Sequence, residues 1–424
     1  MESGPLVAIY SRMYQEALQI PAPWFIVDIQ IETHDKTEKI LIDFDKGAYF
    51  ECPKCGRKGC KPHDTHPERK RHLDFHDYHC CLEARVPRVI CPNCGVVTIN
   101  VPWGRKHSGF TYEYEMMVLS LASSMPISKV ADMIHENFDR IFRIVTYYVN
   151  FAVSNSNYSQ VYSIATDETS CKRGHKYITL VVDLEKRRII FATPGKDHTT
   201  IDRFKQFLLE HKGDPAKIIE GCCDMSQAFI KGLTENFPNI SIIFDKFHVM
   251  KMMNEALNKV RRDEQKENNE LLKTRMYWLK NRENLKEEEK SRLDILLQMN
   301  LKTSRTYRLK LDLQELWKMS DPEAAQKFLK RWFWRATHSR LKIIQEFGWT
   351  IKRHWDGILN IVGSRISNGV LEAMNGSVQT LKREARGYRN TENFITMIYL
   401  RLGKLTLSEA AGLKQLSNTI GKTV

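Results

Sequence analysis

Apolar residues recur along the chain with two periods, and each change of period marks a change of structure. After a short helix-like stretch, residues 24–31 and 39–44 alternate apolar and polar positions, the two-residue period of a half-buried strand. From about 111 to 153 the spacing is helical: Met116, Met117, Leu119 and Leu121, then Val130, Met133 and Ile134, then Phe138, Ile141, Phe142 and Val145. Ser123-Ser124-Met125-Pro126 separates the first two groups with turn chemistry. Beyond 161 the texture turns to short β-rich runs at 161–165, 177–182, 188–192, 218–223 and 240–244, with helical patterns at about 199–211 and 226–236. Three strands in quick succession, then strand–helix–strand alternation, predict a mixed sheet flanked by helices. Residues 249–357 are rich in Lys and Glu and read as an all-α insertion. A helix over about 366–385, a turn at 387–390 and a C-terminal helix complete the pattern.

Composition adds a partner and a compartment. Of 424 residues, 42% are hydrophobic and 27% charged, enough apolar material for several cores. The 65 Lys and Arg against 51 Asp and Glu leave a net charge of +14, which favours a polyanionic partner. The N-terminal stretch lacks a basic start followed by an apolar run, so no secretory signal is expected. No run approaches the roughly 18 consecutive apolar residues of a membrane helix, so no membrane partner is expected either. Of ten cysteines, seven lie between Cys52 and Cys94; the others are Cys171, Cys222 and Cys223. A disulfide framework would spread its pairs through the fold, so the clustering points to a reduced, cytoplasmic protein with a local metal site.

Cys52-Pro53-Lys54-Cys55-Gly56 and Cys91-Pro92-Asn93-Cys94-Gly95 are matching knuckles. Thiolates three positions apart can share one tetrahedral Zn²⁺, and the following glycine allows the tight turn. Four thiolates close the coordination sphere, which makes Cys52, Cys55, Cys91 and Cys94 ligands of a structural zinc. The 35 residues between Cys55 and Cys91 exceed a simple finger and suggest a strand-built ribbon with a long excursion, Cys60, Cys80 and Cys81 staying outside the site. That excursion is basic, with Lys61, Arg69, Lys70 and Arg71 among its cations: a phosphate-contacting surface or simply a solvated face. The helix–turn–helix spacing of 111–153 resembles a DNA-reading module whose last helix offers Asn137, Arg140 and Arg143.

Asp167 follows the apolar run 161–165 and Asp224 follows 218–223, so adjacent strands would set both carboxylates on one sheet edge. Glu372 lies on the helix predicted over 366–385. Three carboxylates converging to ~4 Å repel by roughly 4 kcal/mol per pair at an effective dielectric of 20. Divalent metal relieves that cost, and oxygen ligands suit Mg²⁺ or Mn²⁺. Two such ions can activate an attacking oxygen and stabilise a leaving one in an in-line phosphoryl displacement.

The chain resembles bacterial DDE transposases of the zinc-ribbon insertion-sequence group labelled ISL3. The residues carrying the resemblance are the two knuckles, Thr166-Asp167-Glu168 with Gly174-His175-Lys176-Tyr177, Cys223-Asp224-Met225-Ser226, Phe244-Asp245-Lys246-Phe247-His248-Val249, Ser367-Asn368 through Glu372 and Asn375, and residues 382–390. The resemblance implies an α/β multidomain protein in five parts: strands and zinc ribbon (1–108), a helix-turn-helix-like module (109–157), the first part of an RNase H-like core (158–250), an all-α insertion (251–360), and the rest of the core with the glutamate helix (361–424). It makes Asp167, Asp224 and Glu372 the metal-binding triad, with Asp245 and His248 as supporting residues. His135-Glu136-Asn137 departs from the shorter, glycine-like turn expected before the base-reading helix.

Lys382, Arg383, Arg386 and Arg389 follow the glutamate closely and offer contacts to DNA phosphates. Trp332, Trp334, Trp349 and Trp355 read as core packing of the insertion, with stacking on unpaired bases the competing role. The implied activity is metal-dependent cleavage of double-stranded DNA at transposon ends, followed by strand transfer into target DNA, by a dimer or larger assembly at the nucleoid. A regulator that keeps the fold without catalysis, and a nuclease that cuts without joining, share these features.

Overall fold

The computed structural model describes residues 5–172, 176–362, 364 and 369–407, so Gly174, His175, Ser367 and Asn368 lie outside the described residues. The chain divides into two compact units, one reaching to Tyr148 and one running from Val149 to Ala410.

The first unit opens with helix α1 (Pro5–Ala17) and five strands: β1 (Trp24–Glu32), β2 (Thr37–Phe44), β3 (Lys61–Arg71), β4 (His79–Cys91) and β5 (Gly95–Thr98). They form one sheet in the order β1-β2-β4-β3, with β5 paired to β4; only the β2–β4 pair is parallel. On β2 the inward positions are Glu38, Ile40 and Ile42. Glu38 is buried and accepts a 2.6 Å hydrogen bond from the Tyr14 hydroxyl on α1, which offsets the cost of placing a carboxyl there. β3 was not visible as a strand in the hydrophobic pattern. It is a polar edge strand carrying Pro62 and Pro67, residues an edge tolerates because its outer N–H groups need no ladder partner. Its Lys70 is fully buried, the ammonium donating to the carbonyls of Ser108 and Arg105 and pairing with Glu68. That ties the loop before the helices to the sheet.

Three helices follow: α2 (Tyr112–Ser124), α3 (Ile127–Met133) and α4 (Phe138–Ser154). Thr111 caps α2, its hydroxyl accepting from the Tyr114 N–H. His135 holds φ at +51°, the left-handed conformation normally left to glycine, so one position of the turn before α4 is glycine-like in backbone although not in residue.

The second unit is built on the sheet β10-β9-β6-β7-β8, made of β6 (Ser163–Lys172), β7 (Lys176–Asp183), β8 (Arg188–Pro194), β9 (Glu220–Cys223) and β10 (Ser241–Phe244). The first three are antiparallel; β9 joins β6, and β10 joins β9, in parallel. Parallel neighbours need crossovers, and helices α5 (Thr199–Glu210) and α6 (Gln227–Asn236) supply them. β7 is almost wholly buried, and Asp183 at its end is held by Arg188 at 3.1 Å, a structural ion pair.

From β10 the chain enters seven helices: α7 (Lys246–Gln265), α8 (Arg275–Leu279), α9 (Glu287–Gln298), α10 (Lys302–Leu316), α11 (Pro322–Thr337), α12 (Lys342–Arg353) and α13 (Trp355–Leu359). The long α7 serves two cores. Val249 and Met253 join Phe244, Leu313, Trp332 and Phe347 in the core that also covers the sheet. One turn further, Leu257 joins Leu271, Trp278 and Leu293 in a separate helical core. Glu264, near the end of α7, accepts from the N–H groups of Lys302 and Thr303 and caps α10, whose own N-cap residue is Leu301. Helices α14 (Gly369–Glu384) and α15 (Thr391–Leu402) return the chain to the sheet, α14 onto β6 and α15 onto β8, where the Tyr399 hydroxyl accepts from the Ala192 N–H. No helix among the described residues is long and apolar enough to cross a membrane.

Candidate metal centres and nucleic-acid interface

The two knuckles meet. One ligand atom each from Cys52, Cys55, Cys91 and Cys94 all lie within 4.8 Å of one another, and the Cys55 and Cys91 sulfurs are 3.6 Å apart. A tetrahedron with arms of about 2.3 Å has edges of about 3.8 Å, so this donor set fits a zinc-sized, thiophilic ion. Gly56 and Gly95 follow the knuckles at φ +71° and +73°, a conformation that only glycine adopts cheaply. Burial opposes ionisation of Cys91, but the Asn93 and Cys94 N–H groups and the Cys55 thiol bring its pKa down to about 6. Cys94, hydrogen-bonded to Cys55 and then desolvated, is pushed up to about 12. Crowded thiols sharing ionisation in this way are what a dication would resolve. Cys80 and Cys81 stand elsewhere on β4, and Cys60 donates to the Arg57 carbonyl.

The carboxylates assemble differently. Asp224 directly follows β9, as expected, but Asp167 lies inside β6 rather than at its end. β6 outruns its parallel partner because β7 continues to pair with it to Lys172, after the apolar run has stopped. Ala165 pairs with Cys222 and Phe244 with Cys223. Carried two residues on, the first register sets Asp167 beside Asp224; carried one residue on, the second sets Asp245 on the other side. The charges report the same row. Desolvation raises the pKa of Asp167, opposed by the Glu168 N–H, Asn375 and His248, with the Asp224 charge adding to the rise. His248 is raised by its contact with Asp245 at 3.2 Å, and Asp167 and Asp224 add to it. Desolvation first, then Asp245 and Asp167, push the Cys222 thiol up to about 12.

Glu372 is in the first turn of α14 and exposed. Among the described residues the four cysteines are the one set of three or more Cys, His, Asp or Glu whose ligand atoms gather closely enough to hold a metal ion. What α14 does bring to β6 is a polar stripe that the sequence pattern did not single out. Asn375 donates to Asp167 Oδ2, Gln379 donates to Thr169 Oγ1, and Lys382 donates to the Ser170 carbonyl at 2.6 Å. With Glu372 these residues fall at spacings of three, four and three, one face of a helix. The same spacing was open to sequence reading; what was hidden was that a strand lay opposite. Lys382 therefore anchors the helix instead of facing solvent, while Arg383, Arg386 and Arg389 are exposed.

In the first unit, Asn137 accepts from the Asp139 N–H and so caps α4. Arg140 pairs with Glu136 at 2.7 Å and lies over the Phe110 ring, whereas Arg143 is exposed. Arg143 is thus the better placed of the two for a phosphate or a base edge.

Comparison with known proteins agrees with this layout. The ISL3 DDE transposase model, described as a transposase, matches residues 164–398. A helix-turn-helix domain of the same transposase family matches 99–149, and a zinc-finger model of transposases IS204/IS1001/IS1096/IS1165 matches 48–94. The transposase for insertion sequence element IS1557 of Mycobacterium tuberculosis is 26% identical over 425 residues, covering 92% of this chain and 95% of its own. The transposase for IS1001 of Bordetella parapertussis is 26% identical over 356 residues, 82% of this chain and 87% of its own.

Proposed function

Because the chain belongs to the ISL3 family of DDE transposases, enzymes that cut and join DNA strands, we propose that Asp167, Asp224 and Glu372 are its catalytic triad. The observation that carries this reading is the strand register that sets Asp167 beside Asp224, with α14 bonded to Asp167 one turn after Glu372. The sheet order, three antiparallel strands extended by two parallel ones, supports an RNase H-like core interrupted by the helical insertion. The oxygen donors fit Mg²⁺ or Mn²⁺, which when bound would supply charge neutralisation at the scissile phosphate. Asp224 has one oxygen turned to the Ser226 N–H and the other left for that role. Asn375 and the Glu168 N–H fix both oxygens of Asp167 in orientation. Asp245 caps α7 through the Phe247 N–H and holds His248, so the pair steadies the helix that begins beside the carboxylates.

In this reading Cys52, Cys55, Cys91 and Cys94 hold a structural zinc. The helix-turn-helix module binds the ends of the insertion sequence, with Arg143 at its surface. Arg383, Arg386 and Arg389 contact phosphates near the cut. Cleavage frees a 3′-hydroxyl that is then joined to target DNA, and handling two ends together calls for two or more copies.

The test is cleavage and joining of DNA carrying the element's own ends, with Mg²⁺ or Mn²⁺. Metal-dependent cutting and joining in the wild type, lost in Asp167→Ala, Asp224→Ala and Glu372→Ala while end binding persists, is the expected result. A wild type that binds ends and never cuts under either metal would turn the reading towards a catalytically silent regulator.

A further inference from the structure

Four of the six tryptophans of the insertion, expected together in its core, separate into two pairs. Trp332 is buried and donates its indole N–H to the Leu309 carbonyl at 2.9 Å, and Trp355 is buried beside Phe333. Trp334 and Trp349 are 61% and 56% exposed, the only exposed tryptophans among the described residues. Both belong to the hairpin of α11 and α12. One face of Trp334 is stacked on His338, with centroids 4.4 Å apart and planes 20° apart. Trp349 meets the half-buried Phe333 edge to face at 5.3 Å. Each indole is therefore braced by a neighbouring ring while much of it faces water.

The surroundings say what would cover these rings. Between Pro322 and Arg353 there are eight Lys and Arg against two Glu. Lys327, Lys330 and Arg331 stand seven, four and three residues before Trp334, on its flank of α11, and all three are exposed. None of the three is ion-paired among the described residues, whereas Arg335 is already committed to Asp312. A second copy of so basic a hairpin would be repelled. A paired duplex offers phosphates to the cations but keeps its base faces stacked, which leaves the indoles without a partner. Unpaired bases supply flat aromatic faces and phosphates at once.

We propose that the α11–α12 hairpin binds unpaired DNA bases, with Trp334 and Trp349 as stacking planes and the basic flank of α11 holding the intervening phosphates. This goes beyond the triad, which acts on phosphodiesters and makes no use of base faces. It places in the insertion a surface for the single-stranded or unstacked stretch that accompanies strand cutting.

Binding of the full chain, without divalent metal, to a labelled blunt duplex, the same duplex with an unpaired thymidine tail, and single-stranded oligothymidylate tests it. Trp334→Ala is expected to weaken binding of the tailed and single-stranded probes by about 5- to 100-fold, the range for loss of one stacked base, and to leave the blunt duplex unchanged. Trp334→Phe should restore most of the loss, since a ring remains. Arg331→Gln should lower the salt dependence for single strands by about 0.7 in log–log slope. Equal losses on blunt and tailed DNA would overturn the proposal in favour of a duplex contact. No loss on any probe would overturn it outright, and so would a change in sedimentation of the DNA-free Trp334→Ala protein, which would reveal a surface for self-assembly. Because no metal is present, failure here leaves the triad standing, and failure of the cleavage test leaves this surface standing.

Discussion

The two candidate metal centres use opposite strategies of assembly. In the first unit, two local knuckles each bring a ready-made pair of ligands, and one pairing of chain segments completes the set. In the second, each proposed ligand arrives alone: Asp167 from within a strand, Asp224 from the end of another, and Glu372 from a helix that follows the whole insertion. The thiols are crowded into mutual contact, while the carboxylates are spread over a row of strands and a facing helix. The contrast follows from the chemistry. A structural ion is enclosed and joins the fold, so its ligands can be packed tight. A catalytic site has to leave room for the substrate's oxygens among its own. The first centre should therefore contribute to stability, and the second should depend on its supports for geometry.

The largest effect that would break this contrast is at the knuckles. Cys55→Ser should abolish zinc binding and unfold the first unit, because structural zinc supplies on the order of 10–16 kcal/mol in small finger peptides, as much as the whole net stability of an ordinary domain. Zinc content of the purified protein and limited proteolysis would show it: the first unit becomes labile while the second, with its own core, stays resistant. Unchanged zinc and unchanged protection would remove the assignment.

A middle-sized effect belongs to the second centre. Asn375 bonds Asp167 from the turn of α14 that follows Glu372, so in the proposed site it would position the Asp167 carboxylate. Asn375→Ala should reduce cleavage by roughly 10- to 100-fold, the usual cost of losing a group that orients a metal ligand, with melting temperature nearly unchanged and the metal concentration for half-maximal activity raised. A variant with full activity at limiting metal would show that the Asp167 carboxylate holds its place unaided.

This pair of outcomes also explains what was legible in the sequence. The knuckles could be read because ligand spacing, glycine and turn all lie within five residues. The row of aspartates was partly legible: apolar runs pointed to strands before Asp167 and Asp224, but β6 continues through Thr166 and Thr169, polar residues buried against neighbours that no pattern names. β3 escaped because an edge strand with two prolines has no alternation to read. The division of the tryptophans escaped as well, since Trp332 and Trp334 are two positions apart on one helix and so face different surroundings.

The smallest test asks whether all of the first unit's acid sensitivity belongs to its cysteines. His72 is half-buried just after β3, its Nδ1 2.9 Å from Thr111 Oγ1 and 3.9 Å from a Glu113 oxygen, and desolvation lowers its pKa to about 4 from an ordinary 6.5. A histidine kept neutral in the fold contributes stability that is present above the unfolded pKa and lost as pH falls through the folded one. Between about 6.5 and about 4 the unfolded chain binds the extra proton, so stability drops with falling pH, by about 3 kcal/mol in all. Protons also compete with zinc for the thiolates, in the same direction but with a different owner. His72→Gln should flatten the slope of melting temperature against pH between 6.5 and 4 while leaving zinc release unchanged. If the slope were the same in both proteins, the acid sensitivity would rest with the thiolates, and the closed site would be the weaker of the two centres in acid.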